Sequence, residues 1–372
     1  MPQSDYTPEL TEAMAERILL LDGAMGTTIR DYGLGEKEVR GERFANATKD
    51  MLNNGDILSL TKPEVIMDIH SRFFEAGSDI CETNTFSATT ISQSEFFVDD
   101  PRETGGRKDQ DFFQKIIEDP HLLELVHDLN FESARLCREA ADRVANKTGR
   151  QRFVAGAIGP MTVSLTNSPD ANDPAFRVVN FDQVLESYKG KVRALIAGGC
   201  DLLMIETIFD SLNAKAAAVA IQEVYEEMEA RLPIILSAAV GRGGETMISA
   251  QKVEGFWNAF SHIKPLAIGL NCSMGPDLMQ THLEELTQCA TTHISCYPNA
   301  GLPNPLAPTG FDFEPDDMAH YMGKFAQEGL LNIAGGCCGN TPEHISAIAK
   351  AVENQAPREV PRYDSGPLTQ HS

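Results

Sequence analysis

Eight short, continuously apolar runs recur along the chain, and a helical pattern follows each of them. The runs occupy residues 18–22, 79–83, 153–158, 202–207, 233–240, 265–272, 292–298 and 331–335. Strands without polar alternation are buried on both faces, which is typical of a parallel sheet covered by helices. Eight such strand–helix units in a single domain predict an α/β fold, the closed (β/α)8 barrel of the TIM type.

An open, doubly wound sheet is the alternative fold. It usually contains fewer units, and no Gly-x-Gly-x-x-Gly turn follows the first apolar run. The helical patterns span residues 63–76, 120–146, 181–197, 212–229, 253–261, 276–289, 315–327 and 342–352. Pro63 suits the first turn of its helix, and Gly77 suits the residue that ends it.

The barrel is predicted to form one domain of residues 17–356. Residues 1–16 are expected to be a polar N-terminal tail, and residues 357–372 a C-terminal tail or linker. A long polar insertion near residues 92–119 separates the second strand from its helix. Because this insertion follows the C-terminal end of a strand, we expect it on the side of the barrel where active sites form.

Charge and cysteine content exclude several classes of protein. The net charge is −23, from 31 basic and 54 acidic residues, which argues against binding to nucleic acid. There is no apolar run of about 18 residues to span a membrane, and the N-terminal residues lack the apolar core of a signal peptide. We therefore expect a cytoplasmic protein, in which clustered cysteines favour metal binding over disulfides.

Two turns that follow predicted strands carry the thiols best suited to a metal. Cys337 and Cys338 are neighbours in the motif GGCCG at residues 335–339. A disulfide between neighbours would strain the peptide, whereas both thiols can face one soft metal ion. Cys272, in the motif GLNC at residues 269–272, ends the sixth strand and is the best third ligand. Zinc held by three thiolates keeps one position open, as catalytic zinc does.

The remaining metal-binding side chains have simpler interpretations. Five cysteines lie in apolar or helical runs, where core packing is expected: Cys81, Cys137, Cys200, Cys289 and Cys296. Six histidines are scattered over helices and strands and are not expected to be ligands: His70, His127, His262, His293, His320 and His344. A redox dithiol is an alternative role for Cys337 and Cys338, but redox motifs normally separate their cysteines.

Three acidic residues also follow predicted strands. Asp22, Glu82 and Glu206 come at the ends of the first, second and fourth strands. The C-terminal ends of barrel strands meet at one mouth, so these carboxylates are expected near the thiols. Capping of turns or pairing with arginine is the alternative role for each of them.

Five motifs at these strand ends resemble the homocysteine S-methyltransferase family. They are LDGAMGT at 21–27, ETNTF at 82–86, GLNC at 269–272, PNAGLP at 298–303 and GGCCG at 335–339. Within the family, they are most similar to the homocysteine-binding module of cobalamin-dependent methionine synthases. The resemblance extends over about residues 17–356, which is nearly the whole chain.

The resemblance implies a role for individual residues of the mouth. It implies zinc ligation by the three cysteines already named, with Asn299 as the fourth ligand when substrate is absent. It also implies that Asp22 and Glu206 hold the ammonium group of the substrate. The backbone around Gly23 and Ala24 would then receive the substrate carboxylate. No catalytic side chain beyond the zinc site is expected.

The reaction that the resemblance implies is transfer of a methyl group to homocysteine. Homocysteine would bind as a zinc thiolate and attack an activated methyl group, giving methionine. The expected donor is methylcobalamin on a partner module or polypeptide. One alternative is a stand-alone enzyme that uses S-methylmethionine or betaine. A non-catalytic barrel, stabilised by a closed zinc site with four protein ligands, is the other.

The implied partners are the cobalamin- and folate-binding modules of methionine synthase. This chain stops soon after residue 361, so we expect either a fragment or one half of a split enzyme. The insertion near residues 92–119 is expected to be a lid or a docking surface for the methyl donor.

Overall fold

Eight parallel strands form one sheet that curves into a barrel. The protein is described by a computed structural model, which covers residues 6–361. The strands are β1 (Leu19–Leu20), β2 (Ile80–Glu82), β3 (Phe153–Ile158), β4 (Leu202–Ile208), β5 (Ile234–Ala238), β6 (Ala267–Asn271), β7 (His293–Tyr297) and β8 (Ile333–Ala334). Their order is β1-β8-β7-β6-β5-β4-β3-β2. A bridge between Leu21 and Ile80 joins β1 to β2 and closes the barrel, so the (β/α)8 prediction is confirmed.

Helices cover the outside of the barrel, and most of them match the predicted patterns. They are α1 (Thr7–Glu16), α2 (Met25–Arg30), α3 (Glu36–Arg40), α4 (Leu58–Thr61), α5 (Pro63–Ala76), α6 (Thr90–Phe97), α7 (Gln110–Glu118), α8 (Pro120–Thr148), α9 (Phe181–Ala197), α10 (Ser211–Met228), α11 (Val253–Phe260), α12 (Pro276–Cys289), α13 (Pro315–Gln327) and α14 (Pro342–Val352). Short 3-10 helices span Gly55–Ile57, Pro101–Thr104 and Ser261–Ile263. Helices α5, α9, α12, α13 and α14 begin and end at the predicted residues.

The core has two apolar layers because each strand buries both of its faces. An inner layer fills the barrel with side chains that include Leu19, Ile80, Phe153, Leu202, Ile235, Ala267 and Ile333. An outer layer lies between the strands and the helices and includes Ile66 and Phe73 of α5. This two-sided burial explains why the strands read as continuous apolar runs rather than as alternating patterns.

The prediction of a polar tail over residues 1–16 is wrong for the part that the structure describes. Residues 7–16 form α1, and Leu10 and Met14 of this helix join the inner layer of the barrel. Both side chains are 1% exposed. Two apolar residues four positions apart share one face of a helix, and this single pair was hidden by the acidic residues around it. Residues 1–5 lie outside the described part of the chain.

The insertion near residues 92–119 is largely helical. It contains α6, a 3-10 helix and α7, and Phe113 and Ile116 of α7 are buried. Thr89 and Asp109 cap α6 and α7, because their side chains accept hydrogen bonds from the first turn of each helix. Gln183 of α9 donates to the carbonyl of Gln110 at 2.7 Å. The insertion is thus part of the helical layer, and its role as a lid or docking surface stays a prediction.

The C-terminal boundary at residue 356 is too early. Arg358 is 8% exposed and donates to the carbonyl oxygens of Thr287, Ala290 and Thr292. The side chain of Asn332 donates in return to the Arg358 carbonyl at 2.8 Å. Residues 357 and 358 therefore belong to the barrel, and residues 362–372 lie outside the described part of the chain. Within residues 6–361, no helix is both long and apolar enough to cross a membrane.

Candidate active site

The structure brings together the three cysteines that the motifs single out. Cys272 follows β6, and Cys337 and Cys338 follow β8, the two strands that flank β7. Their sulfur atoms all lie within 4.8 Å of one another. In the range 6–361 this is the single cluster of three or more His, Cys, Asp and Glu side chains with metal-binding geometry. Four of the other cysteines are buried and Cys289 is half-buried, as expected for packing residues.

An unusual turn positions the thiol of Cys272. Cys272 and Ser273 have φ angles of 56° and 58°, in the left-handed region that residues other than glycine seldom occupy. The Cys272 N–H donates to the carbonyl of Tyr297 at 3.3 Å, and the Asn299 N–H donates to the carbonyl of Met274 at 3.1 Å. These contacts with β7 and the residues after it hold the strained turn in place.

A dense set of backbone hydrogen bonds positions the other two thiols. The Cys337 N–H donates to the carbonyl of Pro298, and the Cys338 carbonyl accepts from the N–H of Ala300. The Asn340 side chain donates to the carbonyls of Pro298 and Cys337 at 3.0 and 3.1 Å. A Cβ at Gly336 would lie 2.2 Å from the Asn340 side chain, so only glycine fits here.

The proximity of the three thiols favours loss of a proton. Hydrogen bonds from Cys272 and Cys337 lower the pKa of Cys338 to about 3. Hydrogen bonding to Cys272 and Cys338 raises the pKa of Cys337 well above its usual value. A cation bound between the three sulfur atoms would favour ionisation of all three thiols.

Asn299, which follows β7, lies between the two turns that carry the thiols. Its side chain is 5% exposed, and its Oδ1 atom accepts no hydrogen bond from the residues described, 6–361. A buried amide oxygen without a partner is costly, unless it serves a ligand. Asn299 could therefore supply an oxygen ligand to a metal at the thiols.

Three carboxyl groups face the same mouth from β1, β2 and β4. The Asp22 carboxylate accepts a hydrogen bond from the Glu82 N–H at 3.0 Å. Burial raises the pKa of Glu206 to about 7, and burial with mutual repulsion raises the pKa of Asp22 and Glu82 well above the usual range. Such a cluster favours a cationic ligand. Glu82 is a member of it, although the resemblance assigned only Asp22 and Glu206 to the substrate.

Two hydrogen bonds between β4 and β6 connect the acidic side of the mouth to the side that carries the thiols. Thr207 has a φ of 53°, and its N–H donates to the Asn271 side chain at 3.0 Å. Asn271 donates back to the Thr207 hydroxyl at 2.8 Å, and this hydroxyl lies 3.4 Å from a carboxylate oxygen of Glu206. The residue before Cys272 thus helps to orient Glu206. The sequence signal for this contact is the asparagine directly before Cys272.

The turn after β1 contains the residues whose backbone is expected to bind the substrate carboxylate. The Ala24 N–H donates to the carbonyl of Asn340 at 3.2 Å. A Cβ at Gly23 would lie 2.5 Å from the same oxygen, so this turn packs closely against the one that carries the thiols. The Ala24 amide is engaged by the Asn340 carbonyl, and binding of a carboxylate by the backbone around Gly23 stays a prediction.

Comparison with known proteins identifies the family. The family model for homocysteine S-methyltransferases matches residues 19–352. This chain belongs to the homocysteine S-methyltransferase family. Membership makes it a methyltransferase with homocysteine as substrate, as the strand-end motifs predicted.

Solved structures of one family protein share the fold. The homocysteine methyltransferase MmuM from Escherichia coli, in its oxidised form, superposes with a TM-score of 0.66 at 19% identity, covering 93% of this chain and 99% of that one. The metallated form gives 0.65 at the same identity and coverage, and the apo form gives 0.62 at 19% identity, covering 94% and 100%.

Proposed function

We propose that this methyltransferase holds zinc between Cys272, Cys337 and Cys338 and methylates the sulfur of homocysteine, forming methionine. One observation carries the proposal: three thiols from β6 and β8 converge within 4.8 Å of one another, at a mouth that also holds three carboxyl groups. Soft ligands for a metal and a site for an ammonium group together match the two ends of homocysteine.

The donor set suits zinc with one open position. Zinc binds sulfur at about 2.3 Å in a tetrahedron, which separates the sulfur atoms by about 3.8 Å. The observed limit of 4.8 Å is consistent with one ion between the three thiols. Asn299 would serve as the fourth ligand until a substrate thiol replaces it. Among residues 6–361, no fourth Cys, His, Asp or Glu joins the cluster, which argues against a closed structural site.

The chain's own side chains bind and orient the substrate. When bound, zinc would lower the pKa of a thiol in its open position, so that a nucleophilic sulfur is present at neutral pH. Asp22, Glu82 and Glu206 would hold the ammonium group, and the Gly23 backbone the carboxylate. The thiol end then points toward the cysteines. Fixing both ends in this way lowers the entropic part of the barrier to methyl transfer.

The methyl group would come from methylcobalamin carried by a partner module or polypeptide, a donor supported by exposed apolar side chains on segments that follow strand ends. These are Leu52, Phe86, Leu212, Met247, Leu302 and Leu306, which are 39–94% exposed. Each lies on a segment that follows the C-terminal end of a strand, so they share the open side of the barrel. Apolar surface grouped in this way is typical of a protein-binding face.

A stand-alone homocysteine methyltransferase is the second candidate. It is supported by the shared fold with the homocysteine methyltransferase MmuM from Escherichia coli, a likeness that covers 99% of that chain. Such an enzyme would take its methyl group from a small molecule such as S-methylmethionine or betaine.

A panel of donors tests the two candidates. We expect the zinc-loaded protein to form methionine from homocysteine and methylcobalamin, and Leu306→Asp to slow transfer from protein-bound methylcobalamin more than from the free compound. S-methylmethionine and betaine should give much slower turnover. Methionine formation should be followed by mass spectrometry. If either small donor is the best of the three, the stand-alone candidate replaces the cobalamin-dependent one.

A further inference from the structure

A lysine is buried behind the acidic side of the mouth. Lys191 lies on α9 and is fully buried. Its ammonium group donates to the carbonyls of Thr85 and Phe86 at 2.5 and 3.4 Å. Both carbonyls belong to the loop between β2 and α6, which directly follows Glu82. Helix side chains tilt toward the helix N-terminus, which explains how Lys191 reaches the mouth from the middle of α9.

The other buried basic side chains of residues 6–361 serve different parts of the fold. They are Arg152, Lys189 and Arg358. Arg152 donates to the carbonyl of Ser78, before β2, and Arg358 binds carbonyls before β7. Lys189 pairs with Glu223 and Glu227 of α10, in the outer layer. Among residues 6–361, Lys191 is therefore the buried lysine or arginine whose charged group binds the β2–α6 loop.

Two buried carboxyl groups compensate the positive charge of Lys191. Burying an ammonium group is costly unless carboxylates compensate it. Here these groups are Asp56 and Glu206: burial lowers the pKa of Lys191 to about 8, and both carboxylates act against that decrease. In return, Lys191 limits the increase in the pKa of Glu206 that burial causes. Asp56 is held by hydrogen bonds from the Ser87 N–H and the Gln93 side chain, both at 3.1 Å.

We propose that Lys191 is a positioning residue for homocysteine: its buried ammonium group, hydrogen-bonded to the Thr85 and Phe86 carbonyls, holds the β2–α6 loop and places a fixed positive charge behind the acidic side of the mouth. Asp22, Glu82 and Glu206 repel one another when ionised, and a nearby fixed cation offsets that repulsion. Lys191 is fully buried behind the loop, so it would act through the loop and not by contact with the substrate. The inference rests on the proposed function, because it assumes that the acidic cluster binds the amino group.

The test removes the charge but keeps a hydrogen-bond donor. Lys191→Gln should raise the KM for homocysteine about 10- to 100-fold, the range expected for loss of an interaction with a charged group, with zinc content unchanged. The KM for 4-sulfanylbutanoate, which is homocysteine without its amino group, should stay within about twofold of wild type. Lys191→Arg should recover most of the homocysteine affinity. Lys189→Gln, two residues away on α9, is the matched control and should leave both KM values unchanged.

Several results would overturn the proposal. An equal increase in KM for both substrates would show only a looser fold, and an unchanged KM for homocysteine would remove Lys191 from substrate binding. If Lys191→Gln does not fold, Lys191→Arg decides: a KM for homocysteine more than about tenfold above wild type contradicts the electrostatic role. Wild-type protein that neither binds zinc nor turns over homocysteine would instead refute the proposed function.

Discussion

Replacing any one of Cys272, Cys337 and Cys338 with alanine is expected to abolish zinc retention and to reduce methyl transfer at least about 1000-fold. The two remaining thiolates should not retain zinc, because a structural or catalytic zinc site needs its full set of protein ligands. The backbone hydrogen bonds around both turns do not use the thiols, so the variants should still fold. Zinc should be measured by atomic absorption after gel filtration, with folding checked by circular dichroism.

Cys289→Ala is the matched control for this experiment. Cys289 is half-buried on α12, and its thiol donates to the carbonyl of Leu286 rather than joining the cluster. The control should keep full zinc content and activity. An active protein that lacks all three cluster cysteines and contains no zinc would refute the assignment.

Glu206→Gln is expected to raise the KM for homocysteine about 10- to 150-fold, because a charged hydrogen bond contributes about 1.5–3 kcal/mol. The amide keeps the size of the side chain but cannot balance an ammonium charge. The zinc content should not change, since Glu206 is not among the three thiol ligands. Turnover at saturating homocysteine should fall much less than the affinity does, because Glu206 holds the end of the substrate that does not react.

Glu223→Gln is the control for the loss of a carboxylate. Glu223 lies on α10, where its side chain is 44% exposed and pairs with Lys189. Its replacement should leave the KM for homocysteine as in wild type. Steady-state kinetics at fixed donor concentration measure both variants. A Glu206→Gln enzyme with wild-type KM would remove Glu206 from the substrate site.

The barrel could be predicted because its signals are local. Each strand is a short apolar run, and several helices begin with a proline in the first turn, as α5, α12 and α14 do. Helix α1 was missed because its apolar face consists of just two buried residues in an acidic segment. The helices of the insertion were missed because their caps and short apolar faces are weak signals within a polar stretch.

The candidate site could be predicted only in part. Cysteines and carboxylates at strand ends are visible in the sequence, because strand ends of a barrel meet at one mouth. The groups that orient them are distant in sequence: Asn271 bonds to a residue 64 positions away, and Lys191 to one 106 positions away. No local pattern marks such contacts. The engagement of the Ala24 amide by Asn340 likewise depends on the packing of β1 beside β8.

X-ray absorption at the zinc edge, with and without homocysteine, tests the central claim most directly. The proposal predicts three sulfur ligands and one oxygen or nitrogen ligand at zinc in the free protein. Adding homocysteine should convert this shell to four sulfur ligands at about 2.3 Å. A shell that does not change when homocysteine is added, or one with four sulfur ligands from the start, would contradict an open zinc site that activates the substrate thiol.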